Sequence, residues 1–335
     1  MLLSSWSIAL FLCGLIVLFL MGFAARSAVR VLLFWDLKSD SNRQIRLENE
    51  IWLTSTLVEY ALAIQIISLI VFVLAADFYS HSIAGAMCAT GSLLANNFGI
   101  PTLLIKIGGV FFYGFWIVLH QLDIHSEKYP LVRIKYLYLL LLLPLLVLDL
   151  SLELLFIKGL EPDIITSCCA VVFADTTDGG SNLLGGFTHS VTMGMFYGTI
   201  GVLIIVGSFL MVKWQAWMVV LFSSGWLWFF LLGLSVVTTE FSSYIYAMPF
   251  HKCPFCILKP EYNYIGFFMY SALFLGAFFG MSGVVVEPLH SIEGLERSVT
   301  EFQLSAVKLS LLFLILFFLV SSYHYWRYLL IGGEG

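Results

Sequence analysis

Charged side chains are scarce in this sequence. They make up 11% of its 335 residues, whereas 60% are hydrophobic and the mean hydropathy is +0.97. A soluble protein normally carries about 25% charged residues, so this much apolar surface needs lipid as its solvent. The gaps between the long apolar runs are too short to fold as an independent soluble domain. The scarcity of charge therefore excludes a soluble enzyme and predicts an integral membrane protein with the lipid bilayer as its first partner.

Three recognition motifs are also missing. No glycine-rich loop is followed by the lysine that would cradle a phosphate. No basic patch stands apart from the short loops, so nucleic acid is not an expected partner. Cys256 is followed by Ile257 rather than by histidine, which argues against a covalently bound c-type haem.

The long apolar runs predict the fold class. Runs of about 20 apolar residues indicate transmembrane helices, and the sequence contains about eight of them. We therefore predict an all-α, polytopic bundle of about eight transmembrane helices that forms one transmembrane domain over residues 1–335. The predicted spans lie near 5–25, 52–76, 101–120, 136–156, 190–211, 216–237, 262–283 and 304–323.

Lysine and arginine predict the orientation. Cytoplasmic loops of membrane proteins are enriched in both residues, and the segment between the first two predicted spans carries five of them. If that segment is cytoplasmic, both termini lie outside, and the natural setting is a multi-pass protein of a prokaryotic plasma membrane. Eleven basic residues then fall inside and four outside; the outer four are Lys158, Lys252, Lys259 and Arg327.

Five of the six cysteines lie in loops, and this orientation places every one of those loops outside. The predicted outer loops are 77–100, 157–189 and 238–261, and they contain Cys88, the adjacent pair Cys168 and Cys169, and the pair Cys253 and Cys256. The remaining cysteine, Cys13, lies within the first span. We expect the three loops to form one cysteine-bearing outer cap. Cys88 should lie within disulfide or shared-ligand reach of Cys168 or Cys169, with Cα atoms about 4.4–6.8 Å apart for a disulfide.

The first interpretation of these sulfurs is a redox-active centre. Cys253-Pro254-Phe255-Cys256 has the spacing of a pair that cycles between thiol and disulfide, and the neighbouring Lys252 or His251 can favour the thiolate. Cys168, Cys169 and Cys88 would then relay or store electrons. The partner would be an extracytoplasmic thioredoxin-like protein or a cytochrome.

This use of paired outer cysteines resembles the quinone-linked membrane disulfide oxidoreductases and the vitamin K epoxide reductase type. The likeness is limited to the presence of paired cysteines at the outer surface of a helix bundle, because the sequence motifs and helix count of those families are absent here. No functional residue is carried over. The resemblance implies a quinone as the cofactor.

Two other interpretations use the same atoms. Cys88, Cys168, Cys169, Cys253 and Cys256, joined by His251, offer ligands that suit copper as Cu(I), in a metal-binding or metal-transfer protein. Alternatively the cysteines form disulfide bonds that staple the outer loops, in a non-catalytic subunit bound to other membrane subunits of a redox or transport complex. A ring closed over four residues constrains little chain entropy, so the Cys253–Cys256 pair makes a poor staple.

Three charged residues fall inside predicted spans. Lys106 lies in the third span, and Asp149 and Glu153, four residues apart, share one face of the fourth. Charge at this depth is costly, so we expect Lys106 to pair with Asp149 or Glu153. The alternative role for these groups is a proton path.

Overall fold

The computed structural model describes residues 3–35, 42–126, 129–161, 188–248 and 251–332. All regular secondary structure in these five ranges is helical. The α-helices are α1 (Ser5–Phe34), α2 (Asn42–Ser80), α3 (Ala89–Leu94), α4 (Gly99–Ile124), α5 (Val132–Lys158), α6 (His189–Val212), α7 (Ala216–Val236), α8 (Ser242–Tyr246), α9 (Ile265–Val286) and α10 (Glu296–Ile331).

Within the described ranges, eight helices are long and apolar enough to cross a membrane. They are α1, α2, α4, α5, α6, the continuous helix that joins α7 to α8, α9 with the 3₁₀ turn after it, and α10. Many large apolar side chains on them are exposed, such as Phe19, Leu141, Ile205 and Phe268. These features suit lipid rather than water around the helices. The prediction of about eight long apolar helices is confirmed, and the architecture fits an integral multi-pass membrane protein.

The helices extend beyond the predicted spans. α1 continues past residue 25 to Phe34, α2 begins ten residues before the predicted span, and α10 reaches Ile331. Hydropathy marks the apolar part of a span, whereas a helix continues wherever its backbone hydrogen bonds are satisfied. The segments predicted as outer loops are correspondingly shorter. α2 runs to Ser80, and a π-helical turn, Val237–Phe241, carries α7 directly into α8.

The chain divides into two compact units. The first comprises the described part of Met1–Thr166 with Ile292–Ser298, and the second the described part of Ser167–Ser291 with Val299–Gly335. In the first unit, α1 packs against α2 and α5, and α4 also packs against α2 and α5. The core between these four helices contains fully buried aromatic side chains, among them Tyr113, Trp116 and Tyr136.

The second unit has a core of aromatic rings and glycines. The rings of Phe196, Phe229 and Phe317, from α6, α7 and α10, lie within 6.1 Å of one another. Trp226 of α7 lies over Gly276 and Gly280 of α9, where a Cβ atom would collide with the indole. The glycines therefore let α9 approach α7 closely.

Candidate functional site

The segment between α8 and α9 carries the Cys253–Cys256 pair. Residues 254 and 255 form a turn, and Cys256–Leu258 forms one turn of 3₁₀ helix. The amide of Leu258 donates to the carbonyl of Phe255 at 3.0 Å, and the amide of Lys259 donates to the carbonyl of Cys256 at 3.0 Å. These short-range bonds hold the turn that contains both sulfurs.

Two tyrosines tie this turn to the neighbouring helices. The hydroxyl of Tyr246, at the end of α8, donates to the carbonyl of Cys253 at 2.5 Å. The hydroxyl of Tyr270, in α9, donates to the carbonyl of Pro254 at 2.7 Å. Gly266 lets α9 approach the turn, since a Cβ there would lie 2.7 Å from the side chain of Ile257. The backbone of the cysteine turn is thus anchored on two sides.

The backbone on both sides of the segment adopts left-handed conformations. Ala247, at the end of α8, has a φ of 53°, and Asn263 and Tyr264, just before α9, have φ of 53° and 55°. Alanine and tyrosine rarely adopt such values, which cost about 1–3 kcal/mol each where the surroundings impose them. Such strain is concentrated at functional sites in many proteins.

The two sulfurs are close together but differ in exposure. The Sγ atoms of Cys253 and Cys256 lie within 4.8 Å of each other. Cys253 is fully buried and Cys256 is half-buried. A pair with this spacing can close into a disulfide after a small movement, or can bind one soft metal ion between its sulfurs. The difference in exposure makes Cys256 the sulfur that another molecule reaches first.

Aromatic side chains surround the turn. The ring of Tyr246 packs edge-on against His251 with centroids 4.5 Å apart, and lies 4.7 Å from the ring of Tyr262. The pKa of Tyr262 is raised above its usual value, first by partial burial and then by negative charge on Cys256. Tyr262 therefore stays a neutral phenol beside the thiols. Neither Tyr246 nor Tyr270 was predicted from the sequence, because a tyrosine in a span or at its interface looks like bulk that faces lipid or the membrane surface.

The other predicted cysteines lie outside this segment. Cys88 lies in the first unit, where it is buried and immediately precedes α3. Cys168 and Cys169 lie outside the described residues, so the predicted approach of Cys88 to that pair stays a prediction. Among the cysteines that the structure describes, none forms a disulfide.

The first unit brings the three intramembrane charges together. Lys106 Nζ lies 2.6 Å from Glu153 Oε2 and 3.2 Å from Asp149 Oδ1. Gln65 Nε2 donates to Asp149 Oδ2 at 2.5 Å, and Lys106 Nζ donates to the hydroxyl of Ser68 at 3.3 Å. All three charged side chains are at most 5% exposed. Lys106 therefore pairs with both carboxylates, whereas the sequence predicted a pair with one or the other.

A second buried ion pair was missed by the sequence analysis. Lys135 Nζ lies 2.7 Å from Asp123 Oδ2 and 3.3 Å from His120 Nδ1. The amide of Leu131 donates to Asp123 Oδ1 at 2.8 Å, which closes the connection between α4 and α5. From the sequence, Lys135 is one of the eleven basic residues predicted on the inner side, because it directly precedes the predicted span 136–156. The sequence did contain a feature that indicates this ion pair. An aspartate near the end of one helix and a lysine near the start of the next come together when the two helices pack antiparallel.

Comparison of the chain with known protein families, curated proteins and solved structures found no match.

Proposed function

We propose that this is a multi-pass membrane protein that performs thiol–disulfide exchange through Cys253 and Cys256. One observation carries the proposal: the two sulfurs lie within 4.8 Å of each other, one buried and one half-exposed, in an anchored turn. Exchange requires one sulfur that a partner can attack and a second that stays beside it to leave or to attack in turn. Anchoring keeps that second sulfur in place while the first is bonded to the partner.

The unequal exposure assigns the two roles. A thiolate of an extracytoplasmic thioredoxin-like protein attacks Cys256 Sγ of the Cys253–Cys256 disulfide, and Cys253 leaves as a thiolate. The second thiolate of the partner then attacks its own sulfur in the mixed disulfide and releases Cys256 as a thiolate. The partner dithiol has lost two electrons and two protons, and the Cys253–Cys256 pair has gained them.

A membrane quinone is the proposed acceptor for the next half of the cycle. It takes two electrons and two protons from the dithiol and becomes the quinol, which restores the Cys253–Cys256 disulfide. Cys88, Cys168 and Cys169 are proposed as the sulfurs that pass electrons onward. The proposal includes the orientation, with the cysteine loops and both termini outside a prokaryotic plasma membrane.

Trapping a mixed disulfide tests the assignment of roles. The full chain in lipid nanodiscs is prepared as Cys253→Ser and as Cys256→Ser, and each is incubated with glutathione disulfide. We expect the Cys253→Ser variant, which keeps the half-exposed Cys256, to form the glutathione adduct much faster. A Cys13→Ser variant serves as the control and should behave as the wild type. Equal rates in the two variants would contradict the assignment.

Redox titration and metal analysis separate the competing functions. A reduction potential of the Cys253–Cys256 couple above about −300 mV supports exchange. A lower reduction potential indicates a structural disulfide in a non-catalytic subunit. Stoichiometric Cu(I) that is lost when Cys253 or Cys256 is replaced by serine indicates a metal-binding protein. Two sulfurs at this spacing can both reach one soft metal ion, since each metal–sulfur bond is about 2.3 Å long.

A further inference from the structure

The Lys106 cluster carries an excess of negative charge. Lys106 contributes one positive charge, and Asp149 and Glu153, at 3.2 and 2.6 Å, contribute one negative charge each when ionised. The cluster lies about 10 Å along α4 from its first residue, at the rise of ~1.5 Å per residue. An uncompensated charge at such depth is expensive. One additional proton on the carboxyl pair makes the cluster neutral.

The groups that face the cluster do not supply a second positive charge. On the described part of the neighbouring helices, α1 brings only apolar residues, such as Leu10 and Val17, to the cavity beside the cluster, and α2 brings Gln65 and Ser68. α4 brings Tyr113 in addition to Lys106, and α5 brings the two carboxylates themselves. A proton is therefore the simplest species that can balance the charge.

Two buried oxygens of the cluster, Asp149 Oδ1 and Glu153 Oε1, accept no hydrogen bond from the described residues, although Asp149 Oδ1 still lies 3.2 Å from Lys106 Nζ. Glu153 is 4% exposed, and its Oε2 contacts Lys106 while its buried Oε1 contacts no donor there. A cavity of about 10 Å³ adjoins the cluster and is lined by Gln65, Ser68, Lys106 and Glu153 together with apolar side chains. Such a space is close to the smallest that holds one water molecule, and its polar lining offers that water several partners.

A chain of hydroxyl groups leads from this region to the end of the bundle where α1 begins. The hydroxyls of Ser4 and Ser7 lie 2.8 Å apart, and the hydroxyls of Ser7 and Tyr79 lie 2.7 Å apart. The ring of Tyr79 lies 6.4 Å from the ring of Phe156, which follows Glu153 by three residues on the same side of α5. Ser4 is partly exposed, whereas Ser7 and Tyr79 are buried. Hydroxyl groups both donate and accept hydrogen bonds, so this chain can pass a proton along.

We propose that Glu153, Lys106 and Asp149 form a proton-binding site that exchanges its proton through Tyr79, Ser7 and Ser4. A proton arriving at Glu153 Oε1 converts the carboxylate into a carboxylic acid and brings the cluster from a charge of −1 to neutrality. It leaves by the same chain, and no electron is transferred. The site gives the protein a proton-exchange activity that does not depend on the cysteine chemistry proposed above.

Infrared difference spectroscopy of the full chain in lipid membranes tests the site. A protonated carboxylic acid has a C=O band that shifts when water is replaced by deuterium oxide. We expect one such band, which Glu153→Gln removes. Absence of the band at every pH from about 5 to 9, the range around which buried carboxyl groups titrate, would overturn the proposal. A band that persists in Glu153→Gln would overturn it equally.

The hydroxyl chain is tested by the rate of deuterium exchange at the same band. Tyr79→Phe removes one oxygen atom and keeps the ring, so it gives the test even if Glu153→Gln fails to fold. We expect exchange to slow about a hundredfold, the lower end of what a positioned proton-transfer group contributes. Tyr136→Phe is the matched control, because it removes a buried hydroxyl that binds Ser55 elsewhere in the same unit. Equal slowing in both variants, or none in Tyr79→Phe, would overturn the path.

Discussion

The two units bury different kinds of polar side chain. Among the described residues, every buried lysine, aspartate and glutamate lies in the first unit: Lys106, Asp123, Lys135, Asp149 and Glu153. The buried polar residues described in the second unit are uncharged, and they are Thr192, Ser223, Ser242, Ser282, Gln303, Ser310, Ser321 and Ser322. The stability of the first unit therefore depends on the pairing of buried charges, and the stability of the second depends on how closely its uncharged side chains pack.

The difference extends to where each unit keeps its reactive groups. In the first unit, Lys106, Asp149 and Glu153 are buried inside the helix bundle, beside a cavity large enough for about one water molecule. In the second unit the sulfurs of Cys253 and Cys256 lie in a segment beyond the helix ends, beside an uncharged core. The proposed exchange with a protein partner suits this arrangement, since a protein can approach the segment between two helix ends but cannot enter a helix bundle.

Removing the buried lysine should have the largest effect on stability. Lys106→Met leaves Asp149 and Glu153 without their cation, and breaking a buried ion pair in this way typically costs about 3–5 kcal/mol. Unfolding of the protein in mixed lipid–detergent micelles measures the loss. Lys308→Met, at an exposed lysine of the second unit, is the control and should change the free energy of unfolding by less than ~0.5 kcal/mol.

A triple variant shows whether charge or packing causes that loss. Lys106→Met combined with Asp149→Asn and Glu153→Gln removes all three charges together, so no charge is left without a partner. Replacing a whole buried charge cluster is often neutral for stability. We expect the triple variant to recover most of the loss. A triple variant as unstable as Lys106→Met would mean that the lysine side chain matters through its packing.

Sequence analysis could predict the apolar helices and one charge cluster because both depend on local patterns. Hydropathy is a property of neighbouring residues, and Asp149 and Glu153 share a face through helical spacing alone. The Lys135–Asp123 pair depends on how α5 folds back along α4, a tertiary fact that hydropathy does not contain. Lys135 was therefore counted among residues that set orientation, although its side chain is 1% exposed.

The candidate thiol site was predictable only in part, for the same reason. The nearness of Cys253 and Cys256 follows from two intervening residues. Their unequal exposure does not, because it depends on how α8 and α9 pack around the turn. The anchoring hydroxyls of Tyr246 and Tyr270 belong to helices that reach the turn only in the folded chain.

Overpacking the second unit should give the next largest effect. Gly280→Ala places a Cβ against the indole of Trp226, and Trp226 is itself 1% exposed and packed against Phe229. Extra atoms in a close-packed core typically cost about 1–3 kcal/mol. Gly194→Ala, where no heavy atom lies within 4 Å of the added Cβ, is the matched control and should be neutral or slightly stabilising. Equal effects of the two substitutions would show that the fit around Trp226 does not limit stability.

Loosening the cysteine turn should have a smaller effect on stability and a visible effect on reactivity. Tyr270→Phe removes the hydroxyl that donates to the carbonyl of Pro254, and losing one such bond costs about 0.5–1.5 kcal/mol. We also expect the buried thiol of Cys253 to react faster with a small alkylating reagent, as mass spectrometry can measure. Tyr138→Phe removes a similar hydrogen bond, to the carbonyl of Phe112 in the first unit, and should leave that rate unchanged. A Cys253 rate unaffected by Tyr270→Phe would mean that the hydroxyl does not hold the turn closed.

The smallest effect is expected at the ion pair between Arg30 and Glu50. It belongs to the first unit, like the Lys106 cluster, but the two side chains are 42% and 25% exposed. Partly exposed pairs contribute about 0.2–1 kcal/mol, because water already stabilises each charge and salt screens their attraction. Glu50 also keeps the hydroxyl of Ser27, which donates to it at 2.6 Å, when the arginine is removed. Arg30→Met should therefore lower the free energy of unfolding by less than ~1 kcal/mol, and 1 M salt should shrink the difference further. A loss as large as that of Lys106→Met would mean that burial does not decide how strongly these two ion pairs stabilise the first unit.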